Sequence, residues 1–266
     1  MQKDILKEIS NHILNISTIQ RAENNKRFFR CAPGEYGEDD IFTGLTVPQA
    51  RRLLRVYKDL SLSNTEKLLN SRVHEERLLA LLILIENFQK GNKKKKEEIF
   101  NLYLKNIKHV NSWDLIDLSA PKIIGEYLKI KYSLQSKNCS GVKFLKKIAS
   151  DKNSEGKNWK EKLWLKRIAI VSTFAFMLKP FKNDYAPDII FEVLNKIFSE
   201  KDEINSHDLI QKASGWMLRE YGKRVDEKKL KQFLLENFDK IKKQRTLLRY
   251  SIEKMSKEER LFWLNK

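Results

Sequence analysis

The stretch "EERLLALLILIENF", Glu75–Phe88, decides the fold class. Its apolar run Leu78–Ile85 is eight residues, far too short to span a bilayer but long enough for a buried helix. Similar apolar segments follow: "SWDLIDLSAPKIIG" (Ser112–Gly125), "LKRIAIVSTFAFML" (Leu165–Leu178), "QKASGWMLREYGK" (Gln211–Lys223) and "TLLRYSIEKM" (Thr246–Met255). Each is preceded by a more polar helical stretch. They recur roughly every 30–50 residues, the interval of helical hairpins that stack into a solenoid. No period-2 strand pattern appears, and with only 9 glycines and 5 prolines in 266 residues the punctuation is too sparse for many short strands. The expectation is an all-α chain, one helical-repeat domain over residues 1–266.

Local signals agree. Between Lys3 and Ile19 the apolar Ile5, Leu6, Ile9, Ile13, Leu14 and Ile16 fall at helical spacing. Ser63 with Glu66, and Ser256 with Glu259, have the spacing of a capping box, so each predicts a helix start. Arg30–Pro48 carries three of the glycines and two of the prolines and reads as an ordered connector. "GNKKKKEE" (Gly91–Glu98) reads as a turn entering a helix, and "SDKNSEGKN" (Ser150–Asn158) as a surface loop.

Charge bounds the partner. Lys and Arg total 53 against 35 Asp and Glu, a formal net charge of +18. Such an excess suits a polyanion, because each phosphate neutralised by Lys or Arg releases condensed counterions. The bland alternative is lysine solubilising helix surfaces. The two cysteines, Cys31 and Cys139, lie far apart with no CxxC or Cys/His cluster, which fits a reducing compartment and gives no zinc site. "MQKDILKEISNHILNI" has no uninterrupted apolar core and does not read as a signal peptide. The expectation is a soluble, cytoplasmic protein.

Against this basic background, "NSWDLIDLSAPKIIG" places Trp113 and Asp117 four residues apart, hence on one helix face. Asp114 points about 100° away from Trp113 and reads as structural. The shared face runs on through Ala120 and Ile124, so Asp117 is expected to be partly desolvated and to need a partner or a purpose. The competing reading makes Trp113 core and Asp117 a helix-start acid. Arg167 reads as the start of a very apolar helix, where it either pairs with Asp117 or a phosphate or extends to solvent. Trp216 follows Gly215, with Lys212 and Arg219 about a turn away on either side.

Taken in order, "SWDLIDLSAPKIIG", "WLKRIAIV" and "IQKASGWMLREYGK" resemble the AlkD-like DNA alkylation repair family. "GEYGEDDIFTGLTVPQARRL" resembles the N-terminal signature of one of its branches, so the likeness runs from about Phe28 to about Met255. The resemblance implies a right-handed superhelical stack of HEAT-like repeats with a basic concave groove for duplex DNA. It implies a monofunctional glycosylase that excises cationic N3- and N7-alkylated purines, with no metal or cofactor. A solenoid that grips duplex DNA needs no partner, so a monomer is expected, associated with the nucleoid when bound to DNA. By motif it makes Trp113 and Asp117 a catalytic pair, adds Arg167 and Trp216 to the catalytic set, and makes Lys212 and Arg219 backbone contacts. The family also sets an aromatic residue from the N-terminal helices near the lesion. Here the Gly-rich "APGEYGEDD" departs from the helical pattern, and Tyr36 is the candidate. A non-catalytic binder of duplex, branched or damaged DNA on the same scaffold is the alternative; a protein-interaction scaffold is a third.

Overall fold

A computed structural model describes residues 4–150, 156 and 158–266. The chain is all-helical, with 72% of it helix and no strands among the described residues, as a helical-repeat solenoid requires. It forms two compact units, Met1–Ser119 and Ala120–Lys266. The loop expected at Ser150–Asn158 lies largely outside the described residues.

The first unit holds α1 (Ile5–Ile16), α2 (Ile19–Phe28), α3 (Val47–Tyr57), α4 (Leu62–Leu69), α5 (His74–Lys90), α6 (Lys93–Lys105) and all but the last residue of α7 (Trp113–Ala120). Helix α5 is its centre, packing against α1, α3, α4 and α6. Leu79, Ala80, Leu81, Ile83 and Leu84 are all fully buried, so α5 is apolar around its circumference rather than along one stripe. Each buried Leu or Ile contributes about 1.5–3 kcal/mol of transfer free energy before chain entropy is counted. Helix α1 instead buries only Ile9 and Ile13 and leaves Leu14 exposed.

Helix starts follow side-chain chemistry. Thr46 and Gln49 form a capping box at α3, and Ser256 and Glu259 form the one expected from sequence. Ser63 does not cap. The side chain of Ser61 accepts from the Asn64 amide, so α4 begins two residues earlier than expected and Ser63 lies inside its first turn. Asn92 caps α6 by accepting from the Lys95 amide, as the turn at Gly91–Glu98 implied.

The connector after α2 is ordered by the start of α5. The Ile41 amide donates to the Arg72 carbonyl, and the His74 amide returns a bond to Ile41. The buried Glu75 carboxylate accepts from the Thr43 amide at 3.0 Å and from the Gly44 amide at 2.8 Å. Gly44 sits at φ +91°, and a Cβ there would lie 2.2 Å from the Thr18 carbonyl oxygen and 2.7 Å from the Ala22 nitrogen. Gly44→Ala is therefore expected to lose about 2–4 kcal/mol of stability. Urea unfolding of the variant would measure it, and an unchanged midpoint would contradict this packing.

The second unit contains α8 (Glu126–Lys131), α9 (Ser140–Ile148), α10 (Trp159–Ser172), α11 (Ile189–Phe198), α12 (Asp208–Arg224), α13 (Glu227–Glu236), α14 (Phe238–Ile241), α15 (Arg245–Ser251) and α16 (Lys257–Asn265). Helix α12 packs against α10 on one side and closely against α15 on another. Gly215 permits the second approach, because a Cβ there would stand 2.5 Å from the Tyr250 Cβ and 2.6 Å from the Leu247 carbonyl oxygen. That contact turns the next residue, Trp216, to a half-buried position.

Candidate nucleic-acid interface

In the first unit the site is built around the N-terminus of α7. Trp113 is half-buried and packs on the core cluster of Ala22, Phe29 and Phe42, with Cys31 alongside. Its indole stacks on Phe29 at 5.3 Å between centroids and 16° between planes. Phe28, 65% exposed, meets it edge-on at 5.7 Å. Tyr36 is hydrogen-bonded to Trp113, and because an indole nitrogen can only donate, the phenol oxygen accepts. Burial pushes the Tyr36 hydroxyl up, opposed by the Arg30 charge and by that bond. One face of the tryptophan is thus fastened by rings and its edge by a hydrogen bond. Asp117, one turn further along α7, is also half-buried. Ala120 and Ile124 are buried, as the continuation of their face implied.

Asp114 has a different task. Its carboxylate receives the Ser112 hydroxyl at 2.7 Å and the His74 Nε2 at 2.8 Å. Burial works against its ionisation, but the His74 charge and hydrogen bonds from His74, Ser112 and the Leu115 amide hold it below the ordinary carboxylate range. On its other side His74 Nδ1 lies 3.1 Å from Asp40, which also receives Arg77 at 2.7 Å. Asp40 is likewise buried, and the His74 hydrogen bond and Arg77 charge keep it low. Cys31 is pushed up to about 11, first by burial and then by Asp40 and Glu35, with Lys26 opposing.

The tyrosine assigned to a DNA contact is therefore 9% exposed and serves Trp113 directly. The aromatic side chain that reaches solvent from the N-terminal helices is Phe28. The sequence signal for it was "RFFRC" at Arg27–Cys31, two adjacent phenylalanines at a helix end, of which one packs and one must protrude. The signal for the charged cluster was "HEER" at His74–Arg77 leading into an apolar helix.

In the second unit Lys212, Trp216 and Arg219 share a face of α12. Trp216 lies 6.0 Å from Phe174, over whose ring the Arg224 guanidinium sits at 5.2 Å. Lys212 pairs with Asp208 at 2.7 Å on the surface. Arg219 is held by Glu253 at 2.6 Å and Glu220 at 3.2 Å. A cleft of about 570 Å³ beside this face carries Lys212, Arg249, Lys257 and Arg260 against Asp208 and Glu253, an excess of positive charge. Arg249, Lys257 and Arg260 had no motif to mark them.

Arg167 does not open its helix. It lies in the middle of α10, is 4% exposed, and donates through Nη1 to the Leu209 carbonyl oxygen at 2.5 Å, tying α10 to α12. The reading in which it extends to solvent is corrected: a helix that starts at Trp159 has already turned this residue inward. Its neighbour Lys166 is also buried, 3.5 Å from Asp202 and 3.7 Å from Glu200. Among the described residues no group of three or more His, Cys, Asp or Glu could hold a metal ion, and no helix is long and apolar enough to cross a membrane.

Comparison with known proteins adds the family. A family model described as DNA alkylation repair enzyme matches residues 9–255. No curated protein matches. Among solved structures, a predicted DNA alkylation repair enzyme from Enterococcus faecalis is 13% identical with a TM-score of 0.57, the match covering 91% of this chain and 97% of that one. At that identity the likeness speaks for the fold.

Proposed function

Because the chain belongs to the DNA alkylation repair enzyme family, and so acts in DNA alkylation repair, we propose that it is a monofunctional DNA glycosylase. Its substrate is duplex DNA carrying cationic N3- or N7-alkylated purines. The observation that carries this reading is the half-exposed Trp113, fastened by Phe29, Phe28 and Tyr36, with the Asp117 carboxylate one turn along the same helix.

A purine alkylated at N3 or N7 is already positively charged and leaves without much acid assistance. What remains for the protein is the oxocarbenium-like sugar that develops as the glycosidic bond breaks. Asp117 supplies negative charge near C1′, more effectively where water is partly excluded, and positions the attacking water. The free face of Trp113 contacts the deoxyribose and attracts its growing positive charge through the ring quadrupole, and Trp216 offers the same kind of contact from its own unit. The lesion stays stacked in the duplex, so no tight base pocket does the selecting. An acid repels phosphate, so a carboxylate beside the aromatic platform suits chemistry better than plain binding.

Lys212 and Arg219 serve the DNA backbone. The Lys212–Asp208 pair is exposed and worth at most about 1 kcal/mol, so a phosphate can replace the aspartate. Arg219 must loosen from two carboxylates first. The burial of Arg167 favours a supporting role, holding the helix that carries Trp216. All these residues act within one DNA-binding domain.

The test is incubation of methylated duplex DNA with the protein, followed by chromatography of the bases released. Release of 7-methylguanine or 3-methyladenine is expected. Salt-sensitive binding with no released base would instead favour the non-catalytic binder. Affinity for plain duplex should fall steeply with salt, with a log–log slope of roughly −5 if about six phosphates are neutralised. A salt-independent affinity would remove the electrostatic groove.

A further inference from the structure

Four rings stand in series in the first unit. His74 lies 4.6 Å from Phe42 at 25°, Phe42 stacks on Phe29 at 5.0 Å and 20°, and Phe29 stacks on Trp113 at 5.3 Å and 16°. The inner end is a buried imidazole and the outer end a half-exposed indole. His74 also touches Phe29 directly, at 5.0 Å.

Both nitrogens of that imidazole face carboxylate oxygens: Nδ1 at 3.1 Å from Asp40 and Nε2 at 2.8 Å from Asp114. An ionised carboxylate only accepts hydrogen bonds, so both nitrogens carry protons and the ring is an imidazolium. The groups around it come from three elements. Asp40 belongs to the connector after α2, Asp114 to α7, and Arg77 to α5, where it reaches Asp40 at 2.7 Å. Asn111 donates to Asp40 at 3.3 Å and Ser112 to Asp114 at 2.7 Å. Two cations thus meet two anions. Glu75, next on α5, is occupied by the Thr43 and Gly44 amides, and the Cys31 thiol stands near Asp40.

Such a cluster is a costly way to obtain stability alone, since apolar side chains of similar volume often do as well or better. What it adds is direction. Asp114 is the residue next to Trp113, so the bond from Nε2 sets the first turn of α7 about its own axis. The bond from Nδ1 holds the connector that supplies Tyr36 and Phe42. The ring itself presses the pile on which the indole rests. Three of the contacts that orient Trp113, the Phe29 stack, the first turn of α7 at Asp114 and the connector that carries Tyr36, therefore lead back to His74.

We propose that His74 is a positioning residue for Trp113: clamped between Asp40 and Asp114 beneath the ring pile, it sets the register and tilt of the indole and so the place of Asp117. The inference rests on reading Trp113 and Asp117 as the reacting pair, but its geometry can be measured without any reaction. Burial opposes the charge on His74, yet the Asp114 charge and the hydrogen bonds to Asp114 and Asp40 raise its pKa to about 9. The clamp is closed at neutral pH and opens in mild alkali, well before the Cys31 thiol titrates.

The experiment labels the five tryptophans with 5-fluorotryptophan and assigns Trp113 through Trp113→Phe. In the wild-type protein the Trp113 fluorine resonance should move with a midpoint near pH 9. A Trp113 resonance that stays still through that range overturns the proposal whatever the variants do. In His74→Gln, checked for its fold by circular dichroism, the resonance should be displaced at neutral pH and should no longer titrate. Asp114→Asn keeps the imidazole but removes the anion at Nε2, and should displace the resonance too. Either variant, folded and with Trp113 at its wild-type position, also overturns it. In a base-release assay His74→Gln should lose about tenfold in maximal rate with half-saturation unchanged, the pattern of a lost transition-state contact. Absence of release from the wild type would sink the glycosylase reading and leave the fluorine result to decide on His74.

Discussion

Asp117→Asn is expected to reduce release of 7-methylguanine from methylated duplex by at least about 100-fold while leaving duplex binding nearly intact. The magnitude follows from removing a preorganised electrostatic stabiliser, which typically costs 10²–10³ in rate. Asparagine keeps the shape and one oxygen but no charge, so α7 should stand unchanged. Removing a negative charge from the surface proposed to meet the phosphates should, if anything, tighten binding. Single-turnover release and a gel shift on the same duplex separate the two effects. Release at the wild-type rate would mean that the carboxylate does no chemistry. Loss of binding in parallel with loss of release would move Asp117 from reaction to architecture.

The largest expected effect on stability lies at Asp40. Asp40→Ala removes the carboxylate shared by His74 and Arg77, leaving Arg77 buried with no counter-charge from the connector. Breaking a buried pair from one side costs about 3–5 kcal/mol, and urea unfolding at neutral pH would show it as a lower midpoint. The pH profile carries an independent signature. His74 is raised in the folded chain, so its contribution is full below the ordinary histidine value of 6.5 and is lost as pH rises through about 9. Asp40 and Asp114 are lowered, so theirs is present above the ordinary carboxylate range and lost as acid protonates them. Wild-type stability should therefore peak between those limits and decline in mild alkali. In Asp40→Ala the alkaline decline should shrink, because one of the two anions that raise His74 has gone. A variant as stable as the wild type, with the same alkaline slope, would contradict the network.

Much of the fold was legible because helices announce themselves locally. The apolar run of α5, the spacing of Ile9 and Ile13, and the Ser256–Glu259 cap need no knowledge of distant residues. The failure at Ser63 was also local: two serines stand two residues apart before the same helix, and only backbone geometry decides that Ser61 is the cap. The pairing of Trp113 with Asp117 was visible as a shared helix face. Its surroundings were not. His74 finds Asp40 across 34 residues and Asp114 across 40, and Arg167 finds the Leu209 carbonyl across 42. Such bonds are set by tertiary folding, which places a side chain against a backbone oxygen or a carboxylate that no spacing rule nominates. Arg167 was misplaced for that reason. A charged residue in an apolar helix reads equally as a partner for an acid or a phosphate and as a reach toward solvent until the neighbouring helix is known. Tyr36 was legible as the aromatic residue of the connector, but its bond to Trp113 was not, because only the folded chain brings the phenol against the indole.

The thiol of Cys31 has a chemical consequence of its own. Agents that methylate purines also methylate sulfur, and they do so through the thiolate. Burial and the neighbouring Asp40 and Glu35 charges push the Cys31 thiol up to about 11, so it stays protonated at neutral pH. Cys31 packs on the same Ala22, Phe29 and Phe42 cluster that carries Trp113, so a methyl group added to its sulfur would crowd the floor beneath the indole. A sulfur held as the thiol is a poorer target for such agents than a free cysteine, so the packing beneath Trp113 is shielded from them by the same burial that builds it.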